Sequence, residues 1–234
     1  DIENYNTCFY CFYINKKSPK KNQISKISDD YFLFGNFVHA VLSDIITHKI
    51  NMTSYSDIVK NLLLLTELRE KDFFLKNHSP YNIALWKKLL PKIANYFLAD
   101  KSKKYNFSAE KNLKMIYKDT ITLKGRYDLK YSCGNNVCLV DYKTSSYLPS
   151  RKSVLSGESL QLPFYTLLDK NISLVEFLSI NVSKNTILPT VFTSEELSTS
   201  RDVILNTVEN IYKHLTEQSP LMVEKNSLGC DVCG

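Results

Sequence analysis

The sequence has 234 residues, 44% hydrophobic and 23% charged, the proportions of a soluble globular protein long enough to bury a substantial core. Lysine and arginine number 30 against 24 aspartates and glutamates, and the net charge of +6 is compatible with a polyanionic partner without demonstrating one. The longest apolar run, near Leu62 to Leu65, is far short of the roughly 20 residues of a membrane-spanning helix, and no signal peptide is visible, so neither membrane insertion nor secretion is expected.

In chain order, Phe34, Phe37, Val38, Val41, Leu42, Ile45 and Ile46 recur at helical spacing and predict an amphipathic helix over Phe34 to His48, with His39 at the edge of its apolar stripe. Further helices are predicted at Tyr55 to Glu70 and Tyr81 to Leu98, the latter ended or kinked at Pro91. The period then changes. From Thr120 to Tyr131, Ile121, Leu123, Tyr127, Leu129 and Tyr131 alternate with Thr122, Lys124, Arg126, Asp128 and Lys130, the pattern of a half-buried strand. Cys133-Gly134-Asn135-Asn136 supplies a turn into a second run, Val137 to Lys143, so the two form an antiparallel hairpin; another strand precedes them near Asn112 to Lys118. Ser145 to Glu158, rich in Ser, Pro and Gly with Arg151 and Lys152, reads as a mobile basic loop before a helix beginning near Leu160. Strands are predicted at Leu174 to Val182 and Thr186 to Phe192, and Thr193-Ser194-Glu195-Glu196 has the form of a capping box opening a long helix to about Gln218.

Asp141 and Lys143 lie two residues apart on one strand and project from the same face, with Cys138, Val140 and Tyr142 on the other. Asp128, on the polar face of the adjacent strand, can join them. Two carboxylates and an ammonium could be an exposed cross-strand charge set. However, Val137-Cys138-Leu139-Val140 is apolar on both faces, as in a buried central strand, where charges need a purpose. Hard oxygen ligands for Mg²⁺ or Mn²⁺ beside a cation suit phosphodiester hydrolysis.

Gly125-Arg126-Tyr127-Asp128, then Asp141-Tyr142-Lys143-Thr144, then Gln161 followed four residues later by Tyr165, with Gly35-Asn36-Phe37-Val38-His39 upstream, resemble the PD-(D/E)XK nucleases of the RecB and AddB branch. The likeness extends to Tyr5-Asn6-Thr7-Cys8 and to Trp86 through Phe97, covering nearly the whole chain. It implies an α/β fold with a restriction-endonuclease-like mixed sheet flanked by helices. The organisation it implies is one domain over 1–234: a mainly helical part (1–104) carrying His39, a catalytic core (105–218) and a C-terminal tail (219–234). It also implies that His39, Asp128, Asp141 and the Tyr142 carbonyl bind the metal, that Lys143 positions or activates water and steadies negative charge, and that Gln161 and Tyr165 work beside the active site and the DNA backbone. For Tyr165, packing at the edge of the core is the alternative. Glu110 resembles a further acidic position of the family or is a solvated surface glutamate. Phosphate-directed lysines and the loop at Arg151 and Lys152 are expected to contact DNA.

The six cysteines fall in three close pairs, Cys8/Cys11, Cys133/Cys138 and Cys230/Cys233, in a chain expected to be intracellular, reduced and cytoplasmic. Cys8, Cys230 and Cys233 match positions that hold an iron–sulfur cluster in some AddB-type domains. A [4Fe-4S] cluster takes four thiolates, so either the fourth is a downstream cysteine lost with a truncated tail or Cys11 serves, in a site that could hold zinc instead, or the thiols are ordinary. Cys133 and Cys138 read as plain thiols flanking a turn, and His48, His78 and His214 as surface residues. The opening Asp1-Ile2-Glu3 in place of Met suggests a piece of a longer polypeptide. The expected activity is an Mg²⁺- or Mn²⁺-dependent deoxyribonuclease, specifically an exonuclease. The expected setting is the C-terminal domain of an AddB-like subunit working with an AddA-like helicase in double-strand break repair and recombination. A free-standing or CRISPR-adaptation exonuclease would keep the same residues, and an inactive DNA-binding or assembly module is the reading from another class.

Overall fold

The apolar stripe of the first predicted helix forms as expected: Phe34, Phe37, Val38, Val41, Leu42 and Ile45 are all buried along helix α1, Lys26–Thr47. The structure, a computed structural model, describes residues 26–48, 54–74, 80–99, 104–144 and 148–216. Cys8, Cys11, His78, Cys230 and Cys233 lie outside the described residues. Helix α2, Tyr55–Phe74, starts at Ser54, whose hydroxyl accepts the Asp57 N–H at 3.1 Å and donates to the Asp57 carboxylate at 2.6 Å. Helix α3 spans Pro80–Leu98 with Pro91 inside it, so the proline does not end the helix, one of the two outcomes expected there. One main-chain hydrogen bond is forgone at Pro91, but Leu89, Leu90, Ile93, Ala94 and Phe97 are all buried around it and hold the helix in the core. Trp86 on α3 donates its indole N–H to Thr66 on α2 at 2.9 Å, which satisfies both buried polar groups.

Five strands follow: β1 Lys104–Tyr117, β2 Ile121–Cys133, β3 Asn136–Lys143, β4 Leu174–Asn181 and β5 Thr186–Thr193. They lie in the order β1-β2-β3-β4-β5, with β3 and β4 parallel and the other neighbours antiparallel. β3 is therefore the central strand, as its two apolar faces suggested, and β1, expected only near Asn112 to Lys118, begins already at Lys104. One side of the sheet, including Leu129, Tyr131, Cys138, Val140, Tyr142, Leu178 and Ile180, shares a single apolar core with α1, α2 and α3. Cys138 is a buried thiol opposite Tyr131, and Cys133 pairs with Asn136, so the two cysteines of the turn are not cross-strand partners.

The chain divides into two compact units, the larger comprising Ile24–Leu148 with Tyr165–Ser194 and the smaller taking its described residues from Pro149–Phe164 and Glu195–Gly234. The smaller unit corrects two expectations. The supposed basic loop contains a short helix, α4, Arg151–Leu155, because Ser150 caps it by accepting the Ser153 N–H. The long final helix, α6, is described over Ser198–Thr216 and so starts later than expected. Thr193 is instead the last residue of β5, opposite Leu174, so the predicted opening segment lies outside the helix, and Glu196 pairs with Arg151 within the smaller unit. The Ser200 hydroxyl donates to the carbonyls of Val154 and Leu155, tying α6 to the end of α4. Helix α5, Gln161–Leu168, lies between α4 and β4 in the chain.

Candidate active site

β2 and β3 pair only as far as Leu129 opposite Val140, and beyond that point the strands part. At this fork the main chain of Tyr142 has no β2 partner, and side chains take over. Asp128 accepts the Tyr142 N–H through Oδ2 at 2.7 Å, while its Oδ1 lies 3.1 Å from His39 Nδ1. The other His39 nitrogen, Nε2, lies 3.1 Å from the Tyr142 carbonyl. Both neighbours of the imidazole are hydrogen-bond acceptors, which suits a ring protonated on both nitrogens. Burial by itself would lower the His39 pKa; the hydrogen bond and charge of Asp128, with the charge of Asp141 and the Tyr142 carbonyl, outweigh it, and the pKa is raised above the ordinary histidine value.

Gly35 explains how α1 reaches this fork. A Cβ there would stand 3.0 Å from the Thr144 hydroxyl just past the end of β3, and a glycine inside a helix otherwise costs about 1 kcal/mol relative to alanine. The missing side chain lets the helix approach β3, and the next turn delivers His39 to Tyr142. Edge-to-face contact between the His39 and Tyr142 rings, with centroids 5.6 Å apart, fixes the imidazole further.

On the other side of β3, Asp141 is buried, and Lys143 Nζ stands 2.8 Å from its Oδ2, as the two-residue spacing implies. The ammonium also lies 5.4 Å over the ring of Phe177 on β4. Tyr165 of α5 donates toward Asp141 Oδ1 at 3.1 Å and toward the Arg126 carbonyl at 2.9 Å, so one hydroxyl is held between the two strands of the fork. Burial pushes the Asp141 carboxyl above the usual carboxylate range; Lys143 opposes this, Asp128 adds to it, and the net direction is upward.

The structure thus brings His39, Asp128, Asp141, Tyr142, Lys143 and Tyr165 together in the larger unit. Gln161, Arg151 and Lys152 belong to the smaller unit: Gln161 is the first residue of α5 and half-buried, and Arg151 and Lys152 are exposed in the first turn of α4. His48 is exposed, as expected.

The position of Glu110 was legible only through register. The pairs Ala109 with Leu129 and Lys111 with Tyr127 bracket it, which sets Glu110 directly across from Asp128. Its φ of +40° departs from strand geometry, an unusual backbone state for a residue other than glycine. Its carboxylate lies 3.8 Å from the Arg126 guanidinium.

An imidazole, two carboxylates and a main-chain carbonyl form a donor set that suits a divalent cation. Among the described residues, no three His, Cys, Asp or Glu side chains converge as a ready-made metal cage. The His39 hydrogen bonds engage the oxygens that a cation would use, so the residues fit such an ion by exchanging proton contacts for it.

The model of the PD-(D/E)XK nuclease superfamily matches residues 1–234. Among solved structures the chain is similar to a protein from Eubacterium rectale provisionally named an exonuclease, with 13% identity, a TM-score of 0.58, and coverage of 99% of this chain and 84% of that one. That likeness shows the fold, a mixed five-stranded sheet with flanking helices of the restriction-endonuclease-like type. It also resembles SSO0001, at 15% identity over 80% of this chain and 87% of that one with a TM-score of 0.33, too low to carry an argument. No curated protein matches the chain. No helix among the described residues is long and apolar enough to cross a membrane.

Proposed function

The chain belongs to the PD-(D/E)XK nuclease superfamily, and on that premise we propose that it is a metal-dependent deoxyribonuclease working at the fork between β2 and β3. The carrying observation is the convergence there of His39, Asp128, the Tyr142 carbonyl and the Asp141–Lys143 pair. His39, Asp128, Asp141 and the Tyr142 carbonyl would hold Mg²⁺ or Mn²⁺. The chemistry that such an ion supplies when bound is Lewis-acid polarisation of the phosphoryl group and neutralisation of its charge.

The chain's own residues account for the rest. Lys143 carries its ammonium in a partly buried position, with 26% of the side chain exposed, where a positive charge acts on phosphoryl oxygens more strongly than in water. Asp141 keeps that ammonium in place at 2.8 Å. Tyr165 restrains the opposite oxygen of Asp141, so the carboxylate cannot turn away from the fork. Asp128 caps the freed Tyr142 N–H, and this keeps the Tyr142 carbonyl turned to the His39 side. Gln161 is assigned a role beside the DNA backbone on family resemblance, and Arg151 and Lys152 are assigned phosphate contacts on their charge and exposure.

The name of the Eubacterium rectale protein supports an exonuclease reading. Resemblance of the motifs to the RecB and AddB branch supports a place as the nuclease domain of an AddB-like subunit with a helicase partner. The test is degradation of linear single- and double-stranded DNA with Mg²⁺ or Mn²⁺, by the parent and by Asp141→Ala and Lys143→Ala at matched folding. Metal-dependent cutting lost in both variants is expected. A parent that neither binds metal nor cuts in its presence overturns the reading in favour of an inactive module.

A further inference from the structure

The β1–β2 hairpin is longer than the sheet requires. β2 pairs with β1 from Ile121 to Cys133 but with β3 only from Leu129 to Cys133, so residues 111–127 continue as a two-stranded ribbon past the fork. Register places Asn112 across from Arg126, Lys114 from Lys124 and Ile116 from Thr122. Strand alternation puts these six on one side of the ribbon, and all six are exposed. The other side carries Leu113, Met115, Tyr117, Ile121 and Leu123, which are half-buried or buried.

Two lysines directly opposed on an antiparallel pair repel and destabilise the hairpin. The ribbon keeps this arrangement with Arg126 beside it, and neither lysine meets a carboxylate among the described residues; the one ion pair on this side is the long 3.8 Å contact of Arg126 with Glu110. A repulsion of this kind is relieved by an anionic partner. Along β2 the same alternation runs Lys124, Arg126, Asp128, in steps of about 6.8 Å, so the cationic row ends on a carboxylate of the candidate active site.

We propose that this side of the ribbon is a track for one nucleic-acid strand, its successive phosphates held by Lys114, Lys124 and Arg126 and its backbone delivered to Asp128. The cations step along β2 from Lys124 to Arg126, as phosphates do along a phosphodiester chain, with Lys114 beside Lys124, and exposed Ile116 offers an apolar surface to a base. What happens at the end of the track rests on the nuclease reading; the binding does not.

The test is fluorescence anisotropy of a labelled single-stranded oligodeoxynucleotide with the 234-residue chain, in Ca²⁺ so that the strand survives, over a series of salt concentrations. For the double variant Lys114→Thr/Lys124→Thr, Kd is expected to rise about tenfold and the slope of log K against log salt to fall by about 1.4, at about 0.7 per phosphate lost. Its Tm should equal or exceed that of the parent, because the repulsion is gone. Lys124→Glu, which makes an attractive pair with Lys114, should stabilise the hairpin and weaken binding more than removal of that lysine's charge alone, separating binding from folding. Parent-like affinity and salt slope in either variant would overturn the track. So would a parent that binds no oligonucleotide, or one from which polyglutamate displaces the strand as well as unlabelled DNA does, the mark of an acidic protein partner. A parent that binds through the ribbon yet cuts nothing with Mg²⁺ or Mn²⁺ removes the nuclease reading and leaves the track. A parent that cuts, with variants unchanged in binding and KM, does the reverse.

Discussion

Two carboxylates are buried on opposite sides of one strand pair, each accepting from a tyrosine hydroxyl, and their surroundings differ in the charges beside them. The β3–β4 register places Val140 beside Glu176 and Asp141 beside Phe177, so Glu176 faces the helical core and Asp141 faces the other way. Glu176 accepts hydrogen bonds from the hydroxyls of Tyr96 at 2.8 Å and Tyr131 at 3.4 Å. Burial and the Glu176 charge hold the Tyr96 phenol well above its usual range, so it remains a neutral donor and Glu176 is fastened in place. Asp141 instead stands beside a cation, a second carboxylate and a hydroxyl that also bonds β2. The lesson is that burial does not mark a reactive acid. Partners that can be exchanged for a ligand do, and they gather where the ladder of main-chain hydrogen bonds stops.

Substitution should divide the two sides sharply. The largest effect is expected from Asp141→Asn, which should reduce metal-dependent cutting by about 10³-fold while raising Tm in metal-free buffer. Burial raises the Asp141 pKa, so the native state binds its proton more tightly than the unfolded chain does. Stability is therefore lost as pH rises from the ordinary aspartate pKa through the folded value, and the neutral amide should abolish that loss. A lower Tm for this variant would contradict the account of its burial.

Glu176→Ala should do the opposite. It removes the carboxylate that accepts from the Tyr96 and Tyr131 hydroxyls, a loss of roughly 1–3 kcal/mol, and denaturant titration should show that loss while kcat of the remaining folded protein stays near that of the parent. A large fall in kcat would erase the distinction between the two sides. Gly35→Ala sharpens the comparison from the helix side: the new methyl must displace Thr144 or α1, so activity should fall about tenfold for a positioning shift, with stability little changed because alanine favours the helix. The smallest effect concerns His39. Its raised pKa contributes stability that is fully present below the ordinary histidine value and is lost as pH rises through the folded value. Metal-free Tm should therefore decline gently across neutral pH in the parent and stay flatter in His39→Gln, and Mg²⁺ should stabilise the parent more as pH rises, since the ion competes with that proton.

Much of this side of the molecule was legible along the chain. The α1 stripe, the alternation in β2, the doubly apolar β3 and the shared face of Asp141 and Lys143 follow from periods of 3.6 and 2, which are local properties of each segment. The helix end allowed for at Pro91 and the helix start expected at Thr193 failed for a common reason: local propensity was overridden, by a core that encloses α3 and by the pairing of Thr193 with Leu174 at the end of β5. The opposition of Glu110 to Asp128, and of Lys114 to Lys124, needed the register of a hairpin turning at Lys118-Asp119-Thr120, which spacing by itself leaves free by a residue or more.

The sequence by itself determined most of the elements, the identity of the central strand and, through its motifs, the superfamily. Only the tertiary structure decided that β2 and β3 part after Leu129, that Gly35 brings α1 against β3, and that Tyr165 locks Asp141 and not a neighbouring core side chain. The physical reason is that periodicity is written in the backbone geometry of each element. A fork, a close approach or a hydrogen bond between residues 39 and 128 depends on where separate elements come to rest, and only packing of the whole core sets that.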